Sequence, residues 1–368
     1  MRTYRLIALT AAGLIAATGC SGGDGGTGEK IAVTATDDSC EIAKTTLKAG
    51  NHTFQVKNEG KQVTEFYVYK GDKVVGEVEE ISPGTSRTMT VELAAGTYEG
   101  ACKPGMKGDG IRTKITVTGA AAKADPKLAK AVADYRKYIA DEADQLVAKT
   151  GLFVKAVKAG KVDEAKRLYP VTRTHWERIE PVAEIFGNLD PAIDARENDV
   201  EPGADFTGFH RLEKDLWVTK DLSKSGEIAD KLLVDVKHIV EEAKEEPLKP
   251  FQLANGSKEL LDEVATTKIT GEEDRYSHTD LWDFKANVEG SKAAVDALRT
   301  VIAERDPKLL KQLDAEFEAV DKVLGQHRDG AGWKPHTALS KADLKQLSDA
   351  INALAEPVSQ VAGVVAKA

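Results

Sequence analysis

A histidine and a glutamate three residues apart are the clearest chemical feature of this sequence. His210 and Glu213 lie within Thr207–Trp217, a stretch whose pattern predicts a helix, and residues at i and i+3 share a helical face. Both side chains can therefore reach one point, which is how helical bundles direct metal ligands inward. Apolar neighbours favour partial burial of the pair: Phe209, Leu212, Leu216 and Trp217.

Carboxylates earlier in the chain could complete such a site. Glu177, Glu180 and Glu184 are spaced i, i+3 and i+7, which predicts one face of a helix, and Asp194 follows in an acidic turn. Carboxylates with one imidazole suit iron, manganese or zinc better than Cu(I). The alternative is a solvated acidic face helped by Arg178, because like charges stacked along a helix repel without a counter-ion.

The motif spacing weighs against a zinc peptidase. Such an enzyme needs His-Glu-x-x-His, with two histidines on one helical turn, and the sequence contains no such motif. A metal-dependent hydrolase or peptidase is nevertheless the second hypothesis, since a metal with an open coordination position can activate water. A module that binds a polysaccharide or a protein partner without a functional metal is the third.

Two compositions divide the chain into predicted domains. Residues 30–119 contain short alternating segments rich in Val, Thr, Phe and Tyr between turn signals, which predicts an all-β sandwich or barrel. Residues 120–125 form a predicted linker. Over residues 126–368, apolar residues recur every three or four positions, which predicts an all-α domain of about seven or eight helices.

The first residues predict export from the cytoplasm. Two arginines precede an apolar stretch too short to span a bilayer, which is typical of a secretory signal over residues 1–19. The Thr-Gly-Cys at the end of this segment is typical of a lipoprotein signal. Cys20 is therefore the candidate lipid anchor on the outer face of the cell membrane, and residues 20–29 form a flexible tether. Cleavage without lipidation is the alternative, because Ala17 stands where such signals carry Leu.

Net charge is concentrated in the predicted helical domain. The chain has 51 Lys+Arg against 60 Asp+Glu, a formal charge of −9. Residues 30–119 hold 12 basic and 12 acidic groups, whereas residues 120–368 hold 37 and 46. This acidity argues against nucleic acid, whose binders carry basic patches, and fits a cationic ligand. A cation site is therefore expected in the helical domain.

Five segments of the sequence resemble a known family. Three of them resemble the imelysin-like domain of the EfeO iron-uptake lipoproteins: WERIEPVAEIFGNLDPAIDARENDV, TGFHRLEKDLW and YSHTDLWDFKANVEGSKAAVDALR. The cupredoxin-like domain that precedes it in the long form of the family is resembled by DDSCEIAKTTLKAGNHTFQVKNEG and ISPGTSR. The resemblance covers residues 31–365 and includes the order of the domains.

This resemblance implies a fold and a set of ligands. The fold would be a small all-β cupredoxin-like sandwich followed by an all-α domain of two four-helix bundles. The metal would lie in a cleft around the histidine–glutamate pair. Carried over to this sequence, the ligand candidates are Glu177, Glu180, Asp194, His210 and Glu213, with Glu184 as a substitute for one of them.

The resemblance also implies a role and partners. The protein would be an extracytoplasmic component that binds ferrous or ferric iron, with zinc as a ligand in vitro, and would not be an enzyme. It would hand iron to an EfeU-type permease and work with an EfeB-type haem peroxidase.

The cysteines of the predicted β domain allow two interpretations. Cys40 and Cys102 can form a structural disulfide in an oxidising compartment. As the resemblance suggests, they can instead be thiolate ligands that join Glu65 and Glu99 in a site for copper or iron, which could assist ferrous oxidation. A blue-copper centre needs two histidines beside its cysteine, and the domain contains only His52, so that centre is disfavoured.

Overall fold

The computed structural model describes residues 30–120, 125–183, 189–200, 203–245 and 247–367. The predicted signal peptide, the tether with Cys20, most of the linker and Glu184 lie outside the described residues. Among the helices that are described, none combines the length and the apolar character needed to cross a membrane.

The first domain is all-β, as the alternation of its residues predicts. Two sheets pack face to face, in the strand orders β2-β1-β4-β7 and β3-β9-β8-β5-β6. Strand pairs β1–β4 and β3–β9 are parallel, and the other described pairs of these two sheets are antiparallel. The strands are β1 Lys30–Ala35, β2 Cys40–Ile42, β3 Thr46–Lys48, β4 Gly50–Asn58, β5 Thr64–Lys70, β6 Lys73–Ile81, β7 Ser86–Leu93, β8 Gly96–Pro104 and β9 Ile111–Thr118.

Strand β5 is buried on both of its faces. Phe66 and Val68 belong to the apolar core between the two sheets, whereas Tyr67 and Tyr69 point to the opposite face. Successive residues of a strand alternate in this way, so every second residue of β5 lies on the outer face of its sheet. Glu65 lies on that outer face and is also buried, at 5 % exposure. These side chains of the outer face are therefore largely buried.

The second domain is all-α, as predicted. Asp125 accepts a hydrogen bond from the N–H of Lys127 and caps the first helix, with Pro126 at its first position. The main helices are α1 Pro126–Lys158, α2 Val162–Glu177, α3 Glu180–Ala183, α4 Asp190–Asp194, α5 Gly208–Lys214, α6 Ser225–Glu245, α7 Pro250–Thr266, α8 Asp280–Arg305, α9 Pro307–Gly325, α10 Lys341–Val358 and α11 Val361–Ala366. A π-helical turn, Asp215–Thr219, continues α5, and a short β10–β11 ribbon pairs Arg328–Asp329 with Gly332–Trp333.

The helices share one apolar core. Helix α1 packs against α2, α6 and α8, while α7 packs against α8 and α10, and α9 packs against α8 and α10. Buried residues from both groups of helices belong to a single continuous cluster. Helix α8 thus takes part in both groups, and the division into two four-helix bundles stays a prediction.

The two domains meet along helix α7. Arg87 Nη1 lies 2.8 Å from Asp262 Oδ2, and Asn255 Nδ2 donates to the carbonyl of Thr90 at 2.8 Å. Beside this junction a cleft of about 1030 Å³ is lined by the outer face of β5 and β6 on one side and by the helical domain on the other. Residues of the candidate site described next line this cleft.

Candidate metal centre

The predicted histidine–glutamate pair is buried on helix α5. His210 and Glu213 are 1 % and 0 % exposed, and His210 Nδ1 lies 3.2 Å from Glu213 Oε2. The other oxygen of this glutamate, Oε1, accepts the backbone N–H groups of Tyr276 at 3.0 Å and Ser277 at 2.7 Å. Glu213 therefore anchors the segment before α8 while offering Oε2 to the centre.

A close approach between two short helices brings Asp194 to this histidine. Gly208 begins α5 with φ +79°, and a Cβ at this position would collide with the carbonyl of Ile193. Thr207 Oγ1 donates to the carbonyl of Ala192 at 2.8 Å and holds the same contact. Only glycine tolerates both the positive φ and this approach, so Gly208 allows the end of α4 to meet the start of α5.

Carboxylates from three segments converge on the imidazole. His210 Nε2 lies 3.5 Å from Asp194 Oδ1 and 3.4 Å from Glu273 Oε1. Two groups of side chains could hold a cation, because within each group the possible ligand atoms lie within 4.8 Å of one another. The first group is Asp194, His210 and Glu273, and the second is His210, Glu213 and Asp274. His210 Nε2 is buried and makes no hydrogen bond within the described structure. A nitrogen with a ring of oxygens is a donor set that fits a hard or borderline cation.

Glu273 and Asp274 are site residues that the sequence analysis missed. They follow Gly271, which the sequence marks only as a break between helices, in the run Glu272-Glu273-Asp274. Tyr169 Oη donates to Asp274 Oδ1 at 3.0 Å and lies 3.4 Å from His210 Nδ1. Consecutive acidic residues directly after a helix break were the signal that could have identified this segment.

Arg173 neutralises the carboxylates at the centre. Its side chain is fully buried, and Nη2 donates to Glu273 Oε1 at 2.7 Å. Five carboxylates surround the guanidinium: Asp194, Glu177, Glu273, Asp274 and Asp283. Burying so many carboxylates together is tolerable only with such compensation.

The glutamates upstream are arranged differently from the prediction. The prediction that Glu177 and Glu180 lie on one face of a single helix is wrong, because α2 ends at Glu177 and α3 begins at Glu180. Ile179 N–H turns back to the carbonyl of Trp176, and Pro181 has no N–H with which to continue α2.

The same two glutamates are paired with a buried lysine. Lys268 Nζ lies 2.6 Å from Glu177 Oε2 and 3.1 Å from Glu180 Oε2, and Asn287 Nδ2 donates to the same two oxygens at 3.0 and 3.1 Å. Lys268 is therefore the counter-ion that such closely spaced carboxylates are expected to need. Neither glutamate belongs to the two sets around His210, so their role as metal ligands stays a prediction.

The carboxylates hold His210 as an imidazolium at neutral pH. Burial and Arg173 act to lower the pKa of His210, but the negative charge of Asp194 and the close contacts with Glu213 and Glu273 outweigh them and raise it to about 10. Burial would raise the pKa of Glu273, yet Lys268, His210 and the nearby arginines bring it well below its usual range. A metal that binds His210 must therefore displace a proton.

Comparisons with known proteins show the family to which the chain belongs. A family model described as Imelysin matches residues 131–361, and one described as a cupredoxin-like domain matches residues 6–117. The iron uptake system component EfeO of Escherichia coli O157:H7 is 42% identical over 342 residues, which cover 91% of each chain. This chain belongs to the EfeO family. The protein of the same name from Escherichia coli K12 is 41% identical over the same share of each chain.

A solved structure supports the fold of this EfeO-family chain. The iron-regulated protein A precursor of Parabacteroides distasonis ATCC 8503 aligns with a TM-score of 0.52 and 14% identity. The alignment covers 66% of this chain and 97% of that one. At this identity the likeness concerns the fold alone. The predicted order of a cupredoxin-like sandwich and an imelysin-like helical domain is confirmed.

The β domain of this EfeO-family chain does not gather the four side chains that were expected to share a site. Cys40 and Cys102 are joined by a disulfide within the apolar core, so neither sulfur is a thiolate. Strand β5 pairs with β8 so that Phe66 faces Cys102, whereas Glu65 faces Lys103 and Tyr69 faces Glu99. Glu65 and Glu99 therefore lie on the opposite face of the sheet from Cys102, because side chains alternate along a strand. The predicted copper or iron site with two thiolate ligands is therefore not formed, because both sulfurs belong to the disulfide.

Thiol titration checks this pairing. In denaturant without reductant, protein purified from an oxidising compartment is expected to show no reactive thiol at Cys40 or Cys102, and two after reduction. Mass spectrometry of a tryptic digest should recover the two cysteines in one cross-linked pair. Reactive thiols at both positions in anaerobically purified protein would restore the thiolate interpretation.

Proposed function

We propose that this protein is an extracytoplasmic iron-binding component of an uptake system. It captures iron in the cleft around His210 and passes it to a membrane permease. The observation that carries this proposal is the convergence of four carboxylates on one buried imidazole: Asp194, Glu213, Glu273 and Asp274. The relatives of the chain are named iron uptake system components, which supports iron as the cargo.

The donor set suits iron better than soft Cu(I). Carboxylate oxygens with one imidazole are ligands for hard and borderline cations, so Fe(II), Fe(III) and, in vitro, Zn(II) are the expected ligands. Asp194 and Glu273 also line the cleft between the domains, so the centre is reached from that cleft. The function is binding and hand-over, and no hydrolytic step is needed.

Release requires that the carboxylates stay in place without iron. Arg173 pairs with Asp194 and Glu273, and Lys268 pairs with Glu177. These positive charges offset the repulsion between the carboxylates when no metal is bound. The cargo therefore enters a preorganised site and replaces the proton on His210. We propose an EfeU-type permease as the recipient, an EfeB-type haem peroxidase as a partner, and Cys20 as the lipid anchor that keeps the protein near the membrane.

Metal affinity is expected to depend on pH. Because the pKa of His210 is about 10 in the metal-free protein, each metal ion bound near neutrality displaces at least one proton. The affinity for Zn(II) or anaerobic Fe(II) should therefore rise by about tenfold per pH unit between pH 6 and pH 8. Isothermal titration in two buffers of different ionisation enthalpy would count the released protons.

Two outcomes would contradict the proposal. The first is the absence of measurable binding of Fe(II), Fe(III) and Zn(II) at pH 8. The second is an affinity that does not change with pH, since it would mean that the metal binds away from His210. Turnover of casein that stops on adding a chelator would instead favour the hydrolase hypothesis.

A further inference from the structure

Three carboxylates from different helices surround the ammonium group of one buried lysine. Lys268 is 0 % exposed, and its Nζ lies 2.6 Å from Glu177 Oε2 and 3.1 Å from Glu180 Oε2. The third carboxylate belongs to Glu263 in the last turn of α7, with Oε2 at 3.3 Å from Nζ. Asn287 of α8 donates through Nδ2 to Glu177 and Glu180. We refer to Glu177, Glu180, Glu263 and Asn287 as the Lys268 cluster.

One ammonium group compensates the charge of this cluster only in part. The cluster carries three negative charges when its glutamates are ionised, and Lys268 supplies one positive charge. Arg173 also contacts Glu177, but its guanidinium lies among five carboxylates. Burial raises the pKa of Glu263 to about 8, and Lys268 offsets only part of that increase. A divalent cation in the place of the ammonium group would compensate the three carboxylates better.

The Lys268 cluster contains the donor atoms of a site for hard cations. Its carboxylate oxygens lie beside the amide of Asn287, whose Oδ1 is buried and makes no hydrogen bond within the described structure. A half-turn of this amide about χ2 exchanges Nδ2 for Oδ1 beside Glu177 and Glu180, which provides a fourth oxygen ligand. Carboxylate and amide oxygens are the ligands that Ca(II), Mg(II) and Mn(II) prefer. The cluster therefore has the composition of a site for these ions, and an ammonium group occupies it.

The Lys268 cluster and the His210 centre are reached from the same cleft. Glu180 and Glu263 line the cleft, as do Asp194 and Glu273 of the centre. A cation that enters the cleft therefore meets both groups of carboxylates. The two groups differ in their donors, because the centre includes an imidazole and the cluster offers only oxygens. An imidazole suits iron and zinc, whereas a group of oxygens alone suits calcium and magnesium.

We propose that Lys268 is a selectivity residue whose ammonium group occupies a second cation site, formed by the Lys268 cluster, and closes that site to hard divalent cations. Its contribution to iron selectivity rests on the proposed function, in which the His210 centre is the site left open to metal. The predicted signal peptide indicates export to a compartment rich in such ions, since extracellular modules bind Ca(II) with dissociation constants of about 10⁻⁴–10⁻³ M. Ca(II) cannot dilute out a cation that is covalently part of the chain.

The backbone that carries Lys268 is held by contacts that do not involve its charge. Lys268–Thr270 form a 3-10 turn after α7, and the turn ends at Gly271 with φ +80°. A Cβ at Gly271 would collide with the ring of His336. Nε2 of this histidine lies 3.1 Å from the carbonyl oxygen of Ile269. Replacement of the lysine side chain should therefore leave the turn in place.

Mn(II) binding tests the proposal, because free Mn(II) gives an electron paramagnetic resonance signal that is lost on binding. Full-length wild type and Lys268→Ala are titrated with Mn(II) at pH 7. The variant is expected to bind one more Mn(II) per chain than the wild type, and excess Ca(II) should displace that ion. Ca(II) should also raise the Tm of the variant more than that of the wild type, because a ligand that binds only the folded state stabilises it.

Two further variants show whether the additional ion lies in the Lys268 cluster. Lys285→Ala is the matched control, because Lys285 Nζ also contacts two carboxylates, Asp321 Oδ1 at 2.7 Å and Glu289 Oε1 at 3.3 Å, but is partly exposed. This variant should gain no ion. Lys268→Ala/Glu180→Ala removes one ligand of the cluster and should lose the additional ion. A lysine that is only a structural counter-ion would leave the Mn(II) stoichiometry unchanged in Lys268→Ala.

The His210→Ala/Glu213→Ala background separates this proposal from the proposed function. Addition of Lys268→Ala to that background should still add one Mn(II), because no residue of the Lys268 cluster is changed. Wild-type protein that fails to bind iron would contradict the proposed function and leave this gain intact. A gain that disappears in the background would place the additional ion at the His210 centre and overturn the role of Lys268.

A folded Lys268→Ala variant that binds no additional Mn(II) would also overturn the proposal. If the variant is unfolded without metal, Ca(II) is expected to refold it, and circular dichroism would show the recovery of helix. Lys268→Ala/Glu263→Gln removes one negative charge together with the ammonium group and keeps an oxygen ligand, so it should fold and still bind the additional ion. Failure of that ion to bind would refute the second cation site even if Lys268→Ala cannot be refolded.

Discussion

Replacing Arg173 by methionine is expected to lower the free energy of unfolding by about 3–5 kcal/mol at pH 7, because it leaves buried carboxylates without their compensating charge. The side chain is 0% exposed and lies among five carboxylates, so water cannot take over its role. Urea unfolding followed by tryptophan fluorescence would measure the loss. All four tryptophans lie in the helical domain, so the signal reports that domain.

The loss in the Arg173→Met variant should shrink at lower pH. Arg173 acts to lower the pKa of Asp194 and Glu273, and without it these carboxyl groups take up protons more readily in the folded state. A folded state that binds extra protons gains stability relative to the wild type as pH falls, so the difference should be larger at pH 8 than at pH 5. Arg299→Met is the control: its ion pair with Asp314 is almost half exposed and should cost at most about 1 kcal/mol. A loss below that value in Arg173→Met would contradict the role of Arg173.

Removing the histidine–glutamate pair should have the largest effect on metal binding. In His210→Ala/Glu213→Ala the centre loses the one imidazole found among its described ligand candidates and the carboxylate at 3.2 Å from it. Loss of a supporting group alone typically costs 10–100-fold in metal affinity, so removing two ligands should cost at least about 100-fold for Fe(III) or Zn(II). Isothermal titration at pH 8 would measure it.

The chain offers a matched control for this variant. His238 and Glu242 also form a histidine–glutamate pair, with Nε2 3.3 Å from Oε1, but both are exposed on helix α6. His238→Ala/Glu242→Ala makes the same change in composition and should leave the affinity unchanged. Because Glu213 also anchors the backbone at 276–277, far-ultraviolet circular dichroism should establish that the double variant is folded. Undiminished affinity in a folded double variant would refute the assignment of the centre.

Local patterns were enough to predict the elements that hold the site. The alternation of residues in β4, β5, β7 and β9 and the apolar periodicity after Pro126 predict strands and helices correctly, because both patterns depend on neighbours only a few residues away. The i, i+3 spacing of His210 and Glu213 likewise predicts a shared direction on α5. The same reasoning failed at Glu177 and Glu180, where a proline inside the acidic segment interrupts the helix.

The remaining ligands could not be found from local patterns. Glu273 lies 63 residues beyond His210 in the sequence, and their atoms come within 3.4 Å only because α5 and the segment before α8 pack together. Arg173 and Lys268, which pair with the acidic residues, could not be predicted either. Nothing in the sequence around Glu177 indicates which positively charged side chain from a distant segment contacts it.

By itself, the sequence determined the order of a β and an α domain, the concentration of acidity in the second, and the histidine–glutamate pair, because each follows from composition or spacing along the chain. Only the tertiary structure decided which carboxylates surround the imidazole and which positive charges hold them. It also decided that Cys40 and Cys102 are joined inside the sandwich while Glu65 faces the cleft. The physical reason is that burial and electrostatic compensation depend on side chains from distant segments, which meet only when the apolar core is packed.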